Sequence, residues 1–410
     1  MKIAIIGAGI VGCATAHALL DEGHEVLILD REGPAFGPSR GNAGWMAHTD
    51  ILPIASPKIL RHVPTFLLDP LGPLSIRPAY FVKLLPWLAR FVLAARPQAY
   101  ERSILGIAAL QQLALPTWLA RAEALGLAGH IHRKGGLYAF TDRNALAEAG
   151  EIARRQAEFG ITVDMLRPEE LRQLEPALKD KFVGATFHPN TAHISDPLAL
   201  TLALFEAALA RGATFEKSEV SNISTAERPA LIGRCGFQRV VDRAVVAAGA
   251  WSKPLAAALG DRVPLDTERG YNVSFPGVTG LTSRPIGFEG HGFVVTPLES
   301  GLRIGGAVEF GGLDAAPNHA RTKTLYDKAT GFVEGLPAFE TGKLWMGFRP
   351  SLPDSLPVIG SASRNPNVLY AFGHGHYGMT QSTATAGLIA DLIAGREPAI
   401  DLSPFSPRRF

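Results

Sequence analysis

Apolar positions open the chain in short blocks. Ile3 to Ile6 is a partly β-branched run, Val11 to Leu20 has helical composition, and Glu25 to Leu29 is again strand-like. The pattern predicts strand, glycine turn, helix and strand: one βαβ unit. Residues 51 to 99 interrupt it with prolines and aromatics, where a full nicotinamide-type sheet would continue its alternation. From Tyr80 to Arg96, the apolar Phe81, Val82, Leu84, Leu85, Trp87, Leu88, Phe91, Val92 and Leu93 are interleaved with Lys83 and Arg90. Two readings fit: an amphipathic helix kinked at Pro86 and buried along one face, or one resting on a membrane surface. No uninterrupted apolar run approaches the roughly 20 residues of a spanning helix.

Regular pattern returns at Ser195-Asp196-Pro197. Asp196 is placed to cap a helix that has Pro197 in its first turn and runs through Leu198 to Ala210. Gly212 to Ile223, Leu231 to Phe237 and Arg239 to Ala247 read as strands. Tyr271 to Phe275, Gly292 to Pro297 and Leu302 to Phe310 read as a separate antiparallel sheet, with a helix over Ala320 to Leu336 packed on it. A last helix begins between Thr380 and Thr383 and stops at Gly395. The expected fold class is α/β, α+β overall: a Rossmann-like nucleotide-binding domain interleaved with a substrate domain on a mainly antiparallel sheet. The first takes residues 1–50, 192–262 and 345–410; the second takes 51–191 and 263–344.

Composition narrows the options. The 410 residues are 47% hydrophobic and 19% charged, ample for two cores. Lys plus Arg number 40 against 38 for Asp plus Glu, a net charge of +2 with no general pull on nucleic acid. Cys13 and Cys235 sit in no CxxC or Cys/His pairing, so neither zinc nor a redox dithiol is expected. The start runs straight into a strand with no signal-peptide pattern, and the expectation is a cytoplasmic protein.

Gly7-Ala8-Gly9-Ile10-Val11-Gly12 is a GxGxxG between strand and helix, and Asp30 closes the next strand. Its glycines let a pyrophosphate reach the helix N-terminus, where free N–H groups and the dipole favour negative charge. Asp30 is placed to accept from ribose hydroxyls. This pattern predicts a dinucleotide without separating FAD from NAD. No GxSxG supports a hydrolase, and Gly342-Lys343 lacks the spacing and the Ser or Thr of a P-loop.

Further phrases follow in order: Ser39-Arg40-Gly41-Asn42-Ala43-Gly44, Arg269-Gly270-Tyr271, Gly305-Gly306 with Glu309, Gly347-Phe348-Arg349-Pro350, Asp354 to Gly360, and Gly373-His374-Gly375. With the N-terminal fingerprint they make most of the chain resemble the D-amino-acid oxidase superfamily of flavoproteins, and its bacterial D-amino acid dehydrogenase and hydroxyproline dehydrogenase branch. The Leu-Asp-Pro and Ser-Ile-Arg-Pro phrases between Pro53 and Pro97 resemble the same branch.

The resemblance implies FAD, held noncovalently because Asn42 stands where covalent relatives carry histidine; His48 is the nearby histidine. It implies that Ser39, Asn42, Ala43 and Gly44 pack on the flavin, that Val220, Ala248, Gly249, Trp251 and Arg31 meet the nucleotide, and that Gly373, Gly375, Gly378, Met379 and Thr380 approach the flavin's pyrimidine edge. Arg349 is the expected carboxylate anchor, since a planar guanidinium matches a carboxylate through two parallel hydrogen bonds. Tyr271 is a candidate substrate wall and His374 a candidate catalytic residue; His374 and His376 share a face, but no third ligand suggests a metal. Glu268, Arg269 and Glu309 either shape the pocket or form a strand-edge ion pair.

The function expected from the resemblance is dehydrogenation of a small D-amino or cyclic D-imino acid. A hydride leaves Cα for flavin N5, and the electrons pass to a quinone or other non-oxygen acceptor. Glycine or sarcosine oxidation with peroxide release, an NAD(P) dehydrogenase, and a noncatalytic nucleotide-binding or electron-transfer subunit are the rival expectations.

Overall fold

The computed structural model describes residues 1–60, 72 and 74–410. The Leu68-Asp69-Pro70 phrase lies outside the described residues. Strand Lys2–Ile6, helix Ile10–Asp21 and strand Glu25–Asp30 form the opening βαβ unit. Both strands are almost wholly buried, as parallel strands covered on two faces must be. They sit inside a six-stranded sheet ordered Thr214–Lys217, Glu25–Asp30, Lys2–Ile6, Arg243–Val246, Val368–Phe372 and Val358–Ser361. The first five strands run parallel and the last is antiparallel.

Helices Ile10–Asp21, Pro197–Ala210 and Gly378–Ala394 share one core on this sheet. Asp196 caps the second, its carboxylate accepting from Leu198 N at 2.8 Å and Ala199 N at 3.1 Å. The third starts at Gly378, a little before the expected position, and ends where Gly395 turns left-handed at φ 71°. The 28-residue helix Pro97–Ala124 joins the same core. It is long and apolar enough to cross a membrane by composition alone. Here its Ile107, Leu110, Leu115 and Trp118 are buried, and Trp118 Nε1 donates to Met379 O at 2.8 Å. At ~1.5–3 kcal/mol per large apolar side chain, that burial explains the helix as a core element.

The second sheet has nine strands and is mainly antiparallel. It runs Lys343–Ser351, Asp266–Pro276, Gly301–Phe310, Phe293–Leu298, Ile286–Phe288, Gly136–Phe140, Gly184–His188 and Asp164–Leu166, with Leu74–Ile76 beside Gly301–Phe310. Helix Ala320–Thr330 packs on it, ending at Gly331 rather than Leu336.

Several expectations are corrected. Strand Lys343–Ser351 pairs along its whole length with Asp266–Pro276, so a boundary at 345 cuts through a strand of the antiparallel sheet. Helix Pro97–Ala124, expected in the substrate domain, packs into the core of the parallel sheet. The stretch Gly212 to Ile223 divides: Thr214–Lys217 extends the parallel sheet, while Val220–Ile223 pairs with Ala230–Gly233 in a small antiparallel sheet completed by Gln238–Val240. Arg239 to Ala247 breaks at Asp242, whose carboxylate accepts from Lys2 N at 2.7 Å and turns the chain from one sheet to the other. Helix Phe81–Ala94 forms with Pro86 inside it. Leu84, Trp87 and Phe91 are buried, while Phe81, Val82, Leu85, Val92 and Leu93 stay exposed.

Candidate active site

Parallel strands deliver their carboxyl ends to one place. Gly7, Asp30, Ser218, Ala247 and Gly373, at or just beyond five such ends, all line a cavity of about 1430 Å³. Ordinary small-molecule pockets span roughly 300–1,000 Å³, so this one has room for a dinucleotide and a second molecule. Gly7, Gly9, Ile10, Val11, Asp30, Arg31, Ser39, Asn42, Ala43, Val220, Ala248, Gly249, Trp251, Gly373, Gly375, Gly378 and Met379 line it, and so do Tyr271, Arg349 and His374.

Gly12, Gly44 and Thr380 are not among the lining residues. Gly12 lets the helix close onto the preceding turn, since a β-carbon there would overlap the Gly7 carbonyl oxygen. Gly44 turns the chain at φ 77°, and its carbonyl accepts from Ile194 N at 2.7 Å. Thr380 is buried in the first turn of its helix, with no hydrogen-bond partner for Oγ1 among the described residues.

Helices Ile10–Asp21 and Gly378–Ala394 both begin without a hydrogen bond from the side chain of the N-cap residue, and both present their first residues to the cavity. Apart from the Ile10 N–H, which Ser39 Oγ accepts, the first N–H groups and the positive end of each helix dipole suit phosphate at one start and a ring gathering negative charge at the other. Asp30 accepts from Ala8 N at 2.9 Å and from Glu32 N and Gly33 N at 2.9 and 3.0 Å, bracing the turn. Its carboxylate has about four acceptor sites, so capacity remains for a ribose hydroxyl. The Arg31 guanidinium lies 4.1 Å from the centre of the Trp251 ring, a cation–π contact that holds both on the cavity wall.

The 39–44 loop is held from behind. Ser39 Oγ accepts from Ile10 N at 3.0 Å, Asn272 Nδ2 donates to Gly41 O at 2.9 Å, and Arg303 donates to the Asn42 carbonyl. His48 turns away: its Nδ1 meets Met46 O at 3.2 Å and the residue lines a separate cavity of about 170 Å³. Open helix starts, glycine approaches and buried donors fit a dinucleotide carrying a flat ring system, as FAD does.

At the other end, Arg349 projects over Gly270, where a β-carbon would overlap its guanidinium. Nη1 donates to Ala307 O at 3.0 Å, and the other donors have no hydrogen-bond partner among the described residues. Burial lowers its pKa and nearby Glu268 opposes this. Burial pushes the Glu268 carboxyl up, but His376, Ser351 and Arg349 outweigh it and hold the group below its usual range. Ser351 Oγ donates to Glu268 at 2.6 Å and His376 Nε2 meets it at 2.8 Å.

Tyr271 is a wall residue whose hydroxyl is already committed, donating to Glu309 at 2.6 Å and accepting from Asn318 N at 3.1 Å. Arg269 pairs with Glu309 at 2.9 Å with both side chains buried (0% and 2% exposed), so this is an interior ion pair rather than a strand-edge one. His374 is buried, meets Thr385 Oγ1 at 3.0 Å, and burial lowers its pKa to about 3. A ring held neutral in this way supports the loop and carries no charge at neutral pH. Among the described residues no group of three or more His, Cys, Asp and Glu is placed to hold a metal ion.

Sequence reasoning missed Trp45, Asp50 and Tyr138, which also line the cavity. Tyr138 donates to Asp50 at 2.7 Å, and its ring lies 4.7 Å from that of Trp45. The available signal was position: Trp45 and Asp50 directly follow the 39–44 loop, though nothing local points to Tyr138.

Comparison with known proteins agrees with this geometry. A family model described as "DAO: FAD dependent oxidoreductase" matches residues 2–392. A protein named D-amino-acid oxidase from Bradyrhizobium diazoefficiens is 38% identical across all of this chain and 98% of its own length. D-amino acid dehydrogenase 2 of Ralstonia nicotianae is 31% identical with both chains fully covered. The solved glycine oxidase of Geobacillus kaustophilus shares the fold, with TM-score 0.79 and 24% identity over 100% of this chain and 99% of that one. The chain belongs to the DAO family of FAD-dependent oxidoreductases, within its amino acid oxidases and dehydrogenases.

Proposed function

We propose that this enzyme dehydrogenates a small D-amino or cyclic D-imino acid and passes the electrons to a non-oxygen acceptor of the quinone class. The observation that carries the reading is Arg349: a half-buried guanidinium facing the cavity, spending one donor on a backbone carbonyl and forming no ion pair among the described residues. A carboxylate is the ligand that completes it. Bound noncovalently, FAD supplies the two-electron acceptor that takes a hydride from the carbon bearing the nitrogen.

The chain's own residues do the placing. Arg349 fixes the carboxylate and Gly270 lets the guanidinium lie flat on the sheet. Tyr271 and Phe348 wall the site, and the start of helix Gly378–Ala394 directs N–H groups toward the cavity. Glu268 shares its hydrogen bonds with Ser351 and His376 and so stays ionised beside Arg349. Asn42 in the loop, and His48 turned to the smaller cavity, support noncovalent attachment.

Steady-state rates for a D-amino and D-imino acid panel with a dye acceptor test the reading. Arg349→Ala is expected to lower kcat/KM by about 100-fold or more, mostly through KM. Wild-type kinetics in that variant would remove Arg349 from the site.

A second reading is oxidase activity, favoured by the 38% identical relative named D-amino-acid oxidase. Peroxide formed at the full turnover rate in air, with no gain from added quinone, selects it. We also propose that the enzyme lies in the cytoplasm and meets the inner face of the cell membrane through Tyr80 to Arg96. The exposed Phe81, Val82, Leu85, Val92 and Leu93 beside Lys83 and Arg90 support that contact. Cosedimentation with anionic vesicles, lost on Val82→Glu with Val92→Glu, is the expected result.

A further inference from the structure

The Asp50 corner is not used by the chemistry above. Asp50 lines the main cavity and its neighbours along the chain, His48, Thr49 and Ile51, line the smaller one. The segment is thus a partition, held by Gln111 Nε2 donating to Ala47 O at 3.0 Å and Asp50 O at 3.2 Å. Tyr138 Oη donates to the Asp50 carboxylate at 2.7 Å. The Tyr138 ring lies over Gly287, where a β-carbon would come within 2.6 Å of it, and the Trp45 ring lies beside it, tilted by 32°. Trp45 Nε1 is buried without a partner among the described residues. The charged group facing Asp50 is another carboxylate, Glu289, and Tyr377 completes the wall. A half-buried carboxylate supplied with aromatic faces and a second anion, but with no cation paired to it among the described residues, is complementary to a cation.

Sheet geometry gives the spacing to Arg349. The guanidinium rests over Gly270 and the Tyr138 ring over Gly287. From Asp266–Pro276 to Ile286–Phe288 there are three strand steps. At ~4.8 Å per step that is ~14 Å across the sheet. The register runs from Gly287 through Val294 and Gly305 to Asn272, so Gly270 lies two residues, ~7 Å, further along and the two backbone positions are roughly 16 Å apart. A carboxylate and a side-chain nitrogen at the end of a lysine-length stem span on the order of 8 Å. A hydrogen bond of ~2.8 Å at each end brings the reach to roughly 14 Å, the scale of the separation between the two sheet positions over which Arg349 and Tyr138 lie.

We propose that Asp50, braced by Tyr138 and walled by Trp45, receives the distal cation of a basic amino acid whose α-carboxylate is held by Arg349. This rests on the carboxylate-anchor reading above and extends its donors to side chains ending in an ammonium or guanidinium group.

The test uses the FAD-loaded enzyme and two ligands without an α-amine, 6-aminohexanoate and hexanoate, titrated by perturbation of the flavin spectrum. 6-Aminohexanoate is expected to bind at least about tenfold more tightly. That advantage disappears in Asp50→Asn and shrinks in Tyr138→Phe, while hexanoate affinity moves much less. In turnover, kcat/KM for D-lysine over D-norleucine follows the same order. Equal or weaker binding of 6-aminohexanoate by the wild type overturns this proposal alone. No response to either ligand overturns the Arg349 reading and this one with it.

Discussion

The Arg349 guanidinium lies against Gly270 with no space for a β-carbon between them, while its Nη1 reaches across to the carbonyl of Ala307. The glycine in Arg269-Gly270-Tyr271 therefore sets where the substrate's carboxylate is held. Gly270→Ala pushes the guanidinium off the sheet. The expected loss in kcat/KM is about 10- to 100-fold, with the spectrum of bound FAD unchanged. Unchanged kinetics for the donor would show that the stacking has no part in placing it.

Tyr271 is coupled to stability through a bond directed away from the substrate. Its hydroxyl donates to buried Glu309, which Arg77 also grips at 3.1 Å and Arg269 at 2.9 Å. Tyr271→Phe removes a charge-assisted hydrogen bond and is expected to cost about 1.5–3 kcal/mol of unfolding free energy. Denaturant titration measures it. A loss confined to KM, with stability intact, would place the phenol on the substrate instead.

Acid should destabilise the protein through histidines buried in the neutral form. Burial lowers the pKa of His17 and His188 to about 4, and of His193 and His374 to about 3. Each folded pKa lies below the unfolded value. The stability contributed by each neutral ring is therefore full above about 6.5 and is lost as pH falls through that value toward 4 and 3. At pH 5 each is expected to cost about 2 kcal/mol relative to pH 8. His188→Gln should flatten this part of the Tm profile measured by differential scanning fluorimetry.

Asp50 carries the opposite sign. Burial raises its pKa to about 6 despite the hydrogen bond from Tyr138. Its folded pKa is above the unfolded one, so stability is greatest below about 3.8 and declines as pH rises to 6, by about 3 kcal/mol in all. Asp50→Asn is thus expected to melt higher than the wild type at pH 8 and to match it near pH 4. A lower Tm at both pH values would show that the carboxylate is structural.

Local signals in the sequence served well where a feature depends on its neighbours. The Gly7 to Gly12 turn, the Asp196 cap and the Gly395 stop were all legible, because each follows from backbone rules acting over a few residues. Helix Pro97–Ala124 was not read as an element. Its mixed pattern reflects burial against several partners, including Met379 far along the chain.

By itself, then, the sequence determined that the chain begins with a dinucleotide turn and carries an arginine suited to a carboxylate, since glycine spacing and side-chain chemistry act locally. Only the tertiary structure decided that Arg349 belongs to the antiparallel sheet, that the Tyr271 hydroxyl is spent on Glu309, and that Asp50 meets Tyr138. Each of these depends on strand pairing or packing between distant segments, and that is set by which surfaces the whole chain can bury together.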